Sequence, residues 1–234
     1  MAYRLVTWLI ILLVSVPALG WGTLEDFTSG WTHVDTGNTL DVTTNALTDN
    51  TYVSEGTGAY HTKSYGSGYF GDFSIRWYGQ ADASCSAWSD WYMGFANEVD
   101  YWPGVVDAGD SLWVRIRCDG TAGNQVADIV SVDDGTPTNS DDISIGTEGT
   151  NYYFQFERSG TTATLTIWTV GYGDTLVDTV NLTATNTTFT YCHAYNIRSD
   201  DDGNVHWRMN DLDLTGPAGG SAVPAIQAGH RRRR

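Results

Sequence analysis

Two arms of alternating side chains flank a short turn between Asn151 and Trp168. Successive side chains leave a strand on opposite faces, so this period of two predicts a β-hairpin with one apolar and one polar face. The polar face carries Tyr153, Gln155 and Glu157 and is predicted to be a plain solvent face. A lone hairpin is not stable in water, so the rest of the chain must supply more sheet. The apolar face consists of Tyr152, Phe154, Phe156, Ala163, Leu165 and Ile167.

Short β-signals recur along the chain between residues 24 and 214. Glycine is frequent at 26 residues, and no stretch after residue 20 has the apolar spacing of a helix. The apolar phase of the last strand slips at Asn210 and Asp211, which predicts a β-bulge there. About twelve to fourteen strands without a fixed repeat favour a sandwich or barrel over a propeller. Beside the hairpin, the predicted strands are 24–27, 31–34, 40–42, 59–65, 73–78, 91–95, 112–118, 125–133, 143–145, 176–182, 189–197 and 205–214.

Alternation also assigns individual residues to the two faces of these strands. Trp113, Arg115 and Arg117 alternate with apolar residues and are predicted to point outward. The phase of strand 125–133 stays open. In strand 189–197, one face is predicted to carry Phe189, Tyr191, His193, Tyr195 and Ile197, with Cys192 on the other.

The hairpin and three segments that follow it resemble the concanavalin A-like or laminin G-like jelly roll. The resemblance covers residues 24–215 in layout and 151–214 in recognisable pattern. It implies an all-β fold of two antiparallel sheets, one of them concave. It also implies a superfamily that contains lectins, laminin G modules, pentraxins and glycoside hydrolases. The three further segments are Thr179–Leu182, Phe189–Ile197 and Asn204–Leu214, which ends in Asn-Asp-Leu-Asp-Leu.

Three regions follow from composition along the chain. Residues 1–20 carry one basic residue, an apolar run of about a dozen residues and small residues at the end, which predicts a cleaved secretory signal peptide. An apolar run of this length is short of the roughly 20 residues that span a membrane, so no stable span is expected after cleavage. Residues 21–216 are predicted to form one β-sandwich domain. Residues 217–234 are predicted to be a disordered Gly/Ala/Pro tail that ends in an arginine run, and the protein is expected outside the cell or at its surface.

The predicted domain is strongly acidic. All 28 acidic residues lie between Glu25 and Asp213, where seven basic residues oppose them, for a net charge of −21. Such a body repels nucleic acid and anionic lipid. The charge is explained either by solubility or by carboxylates that gather around calcium.

Three cysteines remain after the signal peptide, at Cys85, Cys118 and Cys192. In an exported protein the simplest outcome is one disulfide and one free thiol. The sequence leaves the pairing open.

Two carboxylates, Glu98 and Asp100, are candidates for glycoside chemistry. If both lie on one strand, their spacing of two residues places them on the same face. Two carboxylates on one face can act together on a single glycosidic bond. In the resembling superfamily, retaining endoglucanases carry E-x-D-x-x-E on a strand of the cleft. Here Pro103 stands where the second glutamate, the acid/base, is expected. The motif is broken, so catalysis is not the favoured interpretation.

A second candidate is a calcium site in the acidic turn 200–204. Asp200, Asp202 and Asn204 offer oxygen ligands at alternate positions beside Gly203. Members of the resembling superfamily bind calcium at the edge of the sandwich. The alternative is a solvated hairpin turn.

Aromatic side chains near residues 88–102 are candidates for binding sugar rings. Flat aromatic faces pack on the apolar faces of sugars, while carboxylates and amides bind the hydroxyl groups. The alternative is core packing, which is predicted for Trp77, Trp168 and Trp207. The candidate platform is Trp88, Trp91, Tyr101 and Trp102.

No motif of a serine hydrolase elbow, a zinc protease, a Walker loop or a zinc cluster occurs in the sequence. We therefore expect an exported carbohydrate-binding, lectin-like module, assisted by calcium, whose partner is a glycan or cell-surface polysaccharide. The first alternative is a structural surface or virion-type adhesion protein. The second is a glycoside hydrolase that uses Glu98 and Asp100.

Overall fold

The structure is a computed structural model that describes residues 24–35, 40–49, 58–81, 88–100, 109–119, 125–146, 149–186, 188–198 and 207–214. Residues 1–20 and 217–234 lie outside this part of the chain, so the signal peptide and the tail stay predictions. None of the described residues belongs to a helix that could cross a bilayer.

The described residues form fifteen strands in two antiparallel sheets, which are not closed into a barrel within this part of the chain. The larger sheet has the order β1-β4-β14-β6-β7-β8-β10, with β9 also paired to β8. The smaller sheet has the order β13-β12-β11-β5-β15-β3-β2. The fold is a β-sandwich, as predicted. In chain order the strands are β1 Thr32–Asp35, β2 Leu40–Val42, β3 Ala46–Asp49, β4 Gly58–Ser64, β5 Phe73–Ala81, β6 Trp88–Ala96, β7 Ser111–Asp119, β8 Gln125–Asp133, β9 Thr136–Asn139, β10 Ile143–Ser144, β11 Asn151–Ser159, β12 Thr162–Trp168, β13 Leu176–Thr183, β14 Tyr191–Arg198 and β15 Trp207–Asp213.

The hairpin predicted from alternation is β11 and β12. Phe154 pairs with Ile167 and Phe156 pairs with Leu165, so the apolar side chains of both arms share one face. All four are fully buried. Burial of each such side chain contributes about 1.5–3 kcal/mol relative to exposure, which fixes the register of the pair.

Aromatic side chains from both sheets fill the space between them. Trp77 and Phe154 stack with ring centroids 5.0 Å apart, and Trp207 meets Phe154 edge-on at 5.8 Å. Trp91 of the larger sheet lies 5.9 Å from Trp207 of the smaller one. Trp207 covers Gly79, where a Cβ would lie 2.4 Å from the indole, so only glycine fits under the ring. Core packing of Trp77 and Trp207 is confirmed.

The phase slip in the last strand is a β-bulge, as predicted. The register of β15 against β5 shifts between Asn210 and Asp213. Asp211 has φ of 51°, a left-handed conformation that aspartate tolerates better than most residues. The bulge returns Leu212 to the core, where it is fully buried.

A second bulge makes one predicted face assignment wrong. The register of β14 shifts between His193 and Tyr195, because Ala194 is inserted there. Cys192, Ala194 and Tyr195 all belong to the core between the sheets, whereas His193 lies on the opposite face against Trp113. The prediction had kept His193 and Tyr195 on one face. Alternation cannot anticipate an inserted residue when the residues on both sides of it are aromatic.

Two strands form where the sequence shows no period. Both β3 and β9 are four residues long, and all four residues of β9 are exposed. By contrast, predicted strand 24–27 is reduced to one bridge between Leu24 and Asp213. Short strands that pair at the ends of longer ones need no apolar alternation of their own.

Candidate functional site

The outer face of the larger sheet carries its own apolar cluster, which the sequence did not predict. Trp113 belongs to it and is fully buried, so the prediction that Trp113 points outward into solvent is wrong. Its indole packs over Gly94, where a Cβ would lie 3.0 Å from the ring and 2.2 Å from the Leu112 carbonyl oxygen. The cluster consists of Tyr92, Ala96, Trp113, Val130 and Val132.

The chain that follows β6 covers part of this outer face. The Nε2 of His193 donates to the Glu98 carbonyl over 3.1 Å, and the amide of Asn196 donates to the Asp100 carbonyl over 2.9 Å. His193 and Asn196 have no exposed surface. Burial lowers the pKa of His193 to about 4, although the bond to Glu98 opposes this, so the imidazole is neutral near pH 7.

These contacts correct the strand placement of Glu98 and Asp100. Strand β6 ends at Ala96, and both carboxylate residues lie in the loop that follows it. Both residues are exposed. Glu98 and Asp100 therefore do not share a strand face that lines a cleft, because β6 ends before it reaches them.

Beyond the covered region, six polar side chains cross the outer face of the larger sheet. We call them the charged row. Cross-strand register brings them together: Tyr92 is opposite Arg115, and Arg115 is opposite Asp128. The row consists of Asp90 and Tyr92 on β6, Arg115 and Arg117 on β7, Asp128 on β8, and Asp142 just before β10.

The centre of the row is a bidentate ion pair between Arg115 and Asp128. Arg115 donates from Nε to Oδ1 over 2.9 Å and from Nη2 to Oδ2 over 2.5 Å. The Asp128 side chain is 1% exposed and that of Arg115 is 13% exposed. Burial lowers the pKa of Arg115, but the bonds to Asp128 outweigh it and the net change is upward. The guanidinium is therefore permanently charged and fixed in one orientation.

Asp90 and Tyr92 flank this pair. The Tyr92 hydroxyl donates to Asp90 Oδ2 over 2.8 Å. Burial raises the pKa of the Asp90 carboxyl, against the opposing effect of that bond, and burial also raises the pKa of the Tyr92 phenol. Asp90 is thus an acceptor whose charge is only partly compensated.

Arg117 and Asp142 form the accessible end of the row. Arg117 donates from Nη2 to both carboxylate oxygens of Asp142, over 2.7 and 2.5 Å. The two side chains are 28% and 42% exposed. A polar ligand can therefore reach Arg117 and Asp142, whereas the Arg115–Asp128 pair is largely buried.

The four predicted aromatic candidates do not form one described platform. Trp91 is fully buried in the core, 6.3 Å from Tyr195, so its indole is not available to a ligand at the surface. The side chain of Trp88 and the whole of Tyr101 and Trp102 lie outside the described residues.

The predicted calcium ligands Asp200, Asp202 and Asn204 also lie outside the described residues. Within the described part of the chain, no three His, Cys, Asp or Glu residues are grouped to hold a metal ion. The chain leaves the larger sheet at Arg198, which pairs with Asp90, two residues after the start of β6 at Trp88. Residues 200–204 follow this strand end in the sequence.

The cysteine pairing stays open. Cys192 is a buried free thiol, and burial raises its pKa well above the ordinary value. Cys85 and the side chain of Cys118 lie outside the described residues.

Sequence reasoning identified Arg115 and Arg117 as outward but missed Asp90 and Asp128. Asp90 stands in the small and polar stretch 80–91, which resembles a loop although β6 already begins at Trp88. Asp128 lies on β8, where seven of nine residues are buried and both faces are apolar, so alternation gives no phase. The signal in the sequence that could have found Asp128 is its charge. An aspartate in a strand that is buried on both faces requires a charged partner, and Arg115, on the preceding strand, is available.

Comparison with solved structures agrees with the two-sheet architecture. The fold is the concanavalin A-like sandwich. The carbohydrate-binding CBM2 module of the evolved Dit protein of Lactobacillus casei BL23 phage J-1 matches with a TM-score of 0.60 and 10% identity, covering 81% of this chain and 92% of that one. The exoplasmic/lumenal domain of VIP36, in its form bound to Ca²⁺ and Man3GlcNAc, matches with a TM-score of 0.60 and 10% identity over 86% of this chain and 90% of that one. A legume lectin-like domain from Entamoeba histolytica matches with a TM-score of 0.57 and 9% identity over 81% and 91%.

No family model and no curated protein matches the sequence. At 9–10% identity these concanavalin A-like neighbours show the fold alone.

Proposed function

We infer that this protein is an exported, non-catalytic carbohydrate-binding module that takes a glycan at the charged row. The observation that carries the proposal is the combination of the fixed Arg115–Asp128 pair with the partly exposed Arg117–Asp142 pair. Sugar hydroxyls both donate and accept hydrogen bonds, so a site that offers carboxylate and guanidinium groups side by side satisfies both roles.

Preorganisation supports the same proposal. Arg115 and Asp128 hold each other in place before any ligand arrives, so little side-chain entropy is lost there on binding. Arg117 and Asp142 are more mobile in principle because they are partly exposed, and a ligand hydroxyl can insert between them. The solved neighbours named as a carbohydrate-binding module and as lectin-like domains favour this reading.

Calcium is part of the proposal through Asp200, Asp202 and Asn204. Their support is the sequence pattern and the likeness to the VIP36 domain, which was solved with Ca²⁺. The expected result is a melting temperature that rises with added CaCl₂ and falls with EGTA, because an ion that binds only the folded state stabilises it. An unchanged melting temperature with both additions removes calcium from the proposal.

The test of the glycan site is a glycan array with the full chain, run in calcium and in EGTA. Arg117→Ala and Asp142→Ala are the probing variants, since both side chains are partly exposed and their loss leaves the fold intact. Thr138→Ala, on the fully exposed strand β9 of the same sheet, is the matched control. Retention of a glycan by the native chain and by Thr138→Ala, with weaker retention by the two row variants, supports the proposal. Equal retention by all four proteins refutes the charged row as the site.

A second candidate is a structural surface or virion-type adhesion protein. It is favoured by the likeness to a module of a phage Dit protein. Size-exclusion chromatography with light scattering separates the two: a large homo-oligomer that retains no glycan supports the second candidate. Glycoside hydrolysis is the weaker alternative. It would be supported only if the native chain released reducing sugar from a polysaccharide and Glu98→Gln abolished that release.

A further inference from the structure

Four aromatic side chains form a continuous cluster on the outer face of the smaller sheet. Tyr78 and Tyr153 have ring centroids 5.8 Å apart, and Tyr153 lies 5.3 Å from Tyr172. Tyr172 lies 5.8 Å from Trp168. All four side chains are partly exposed. We call this cluster the outer aromatic row.

Strand register places three of these residues side by side. Tyr153 of β11 pairs with Tyr78 of β5 on one side and with Trp168 of β12 on the other. Adjacent strands are about 4.8 Å apart, so the three rings span about 10 Å across the sheet. The polar face of the hairpin is therefore not a plain solvent face, and the prediction that Trp168 packs in the core is wrong. Trp168 follows the threonines of β12, so it shares their outward face.

The loop between β12 and β13 completes the row. The Tyr172 hydroxyl donates to the Trp77 carbonyl over 2.7 Å, and the guanidinium of Arg76 lies 5.3 Å from the Tyr172 ring. The loop is closed by a bond of 2.8 Å from the Thr169 amide to the Thr175 carbonyl. Tyr172 is thus fixed across the sheet before any ligand binds.

Val170 in this loop is both strained and exposed. Its φ is 66°, in the left-handed region that β-branched residues avoid, and its side chain is 74% exposed. Backbone strain of this kind clusters at functional sites, ligand-binding sites among them. Leu176, where β13 begins, is 56% exposed. The loop therefore offers apolar surface at the Trp168 end of the row.

A pocket of about 400 Å³ lies at the Tyr78 end. Thr43–Ala46 line one side, and Arg208, Asn210 and Asp211 line the other. Arg208 donates from Nε to the Asn210 side-chain oxygen over 3.0 Å, so these polar groups are oriented. The β-bulge at Asp211 shapes this side of the pocket. Polar groups beside flat aromatic rings are the two components that a sugar chain requires.

Carboxylates accompany the arginines beside the row. Arg76 and Arg208 stand beside Asp211 and Asp213, all four of which influence Tyr78 or Tyr172 electrostatically. Asp174 adds a further carboxylate in the loop of Tyr172. A face without an excess of positive charge does not attract an anionic polymer, so the occupant it fits is an uncharged chain rich in hydroxyl groups.

We propose that the outer aromatic row and the adjoining pocket form a second carbohydrate surface, which takes a neutral polysaccharide chain laid across β12, β11 and β5. The surface lies on the opposite side of the sandwich from the charged row. The proposal for this surface can therefore be supported or refuted independently of the proposal for the charged row. Aromatic rings pack on the apolar faces of successive sugar units, and Arg208, which the buried Asn210 orients, binds their hydroxyl groups.

The test is affinity electrophoresis of the full chain in native gels that contain barley β-glucan, konjac glucomannan, locust-bean galactomannan or dextran, with alginate as the acidic polymer. At least one neutral polysaccharide is expected to retard the native chain more than alginate does. Trp168→Ala is expected to weaken that binding about five- to tenfold, since one stacked aromatic ring is lost. Val170→Gly, which relieves the φ of 66° and therefore does not threaten folding, is expected to weaken it about two- to fivefold. Thr179→Ala, an exposed position on β13 of the same sheet, is the matched control and keeps native retardation.

Three results overturn the proposal. The first is a native chain that no neutral polysaccharide retards, and the second is stronger retardation by alginate than by all of them. The third is retardation that Trp168→Ala and Val170→Gly both leave unchanged. Arg117→Ala separates the two faces: if it abolishes retardation while Trp168→Ala does not, the charged row is the glycan site and the outer aromatic row is not.

Discussion

Replacing Asp128 by alanine is expected to destabilise the fold far more than replacing Asp142, although both pair with arginines of the same strand. Asp128 is 1% exposed and its loss leaves the Arg115 guanidinium, 13% exposed, without its bidentate partner. Removal of one partner from a buried pair costs about 3–5 kcal/mol, because the remaining charge is buried and uncompensated. Asp142 is 42% exposed and Arg117 is 28% exposed, so water replaces the lost contact and the cost is at most about 1 kcal/mol.

The assay is thermal unfolding at pH 7 of the native chain, Asp128→Ala and Asp142→Ala, followed by tryptophan fluorescence. In a domain of this size, 3–5 kcal/mol corresponds to a melting temperature lower by about 6–20 °C, against a few degrees for Asp142→Ala. The double variant Arg115→Leu with Asp128→Leu is expected to recover much of the loss, since it removes the buried charge altogether. Equal losses for the two single variants would refute the argument that burial makes the first pair different.

Three further predictions concern groups buried elsewhere in the sandwich. Burial lowers the pKa of His61 and of His193 to about 4, so between pH 6.5 and pH 4 these histidines bind protons in the unfolded chain but not in the folded one. The free energy of unfolding should therefore fall by about 3 kcal/mol for each histidine as the pH is lowered from 6.5 to 4. Urea unfolding of the His193→Gln variant should show a weaker dependence of stability on pH. Gly94→Ala should lower the free energy of unfolding by about 1–3 kcal/mol or prevent folding, because the new Cβ would lie 2.2 Å from the Leu112 carbonyl oxygen. Gly71→Ala is the control: no atom lies within 4 Å of its Cβ position, so its melting temperature should stay within about 2 °C of the native value. In the variant Cys85→Ser with Cys118→Ser, the remaining Cys192 thiol should react with Ellman's reagent only after denaturation, and rapid reaction of this folded variant would contradict the burial of Cys192.

The sequence predicts most reliably those elements in which one face is apolar and the other polar. The hairpin of β11 and β12 is of this kind, and so is the bulge near Asp211, because a phase slip between Met209 and Leu212 has one physical remedy. Strand β8 is the opposite case, since apolar residues on both faces hide its phase.

The candidate site was harder to predict because it depends on pairing between strands distant in sequence. Arg115 and Asp128 meet only through the register of β7 and β8. Trp113 alternates as an outward residue, yet it is buried, and it packs against His193, which in turn donates a hydrogen bond to the chain that follows β6. Chain that covers the outer face of a sheet does not change the alternation of residues in the strand beneath it, so the sequence pattern of that strand does not predict the covering.

The two proposed surfaces differ in how far their groups are withdrawn from water. On the outer face of the larger sheet, Arg115 and Asp128 are largely desolvated and interact strongly in a fixed geometry. The outer face of the smaller sheet is crossed only by the short loop of Tyr172 among the described residues, so its rings stay partly exposed. A close-packed core with side chains from both sheets separates the faces, so one glycan chain reaches both only by passing around the sandwich. A chain long enough to do so, once held at one face, would raise the effective concentration of the same polymer at the other.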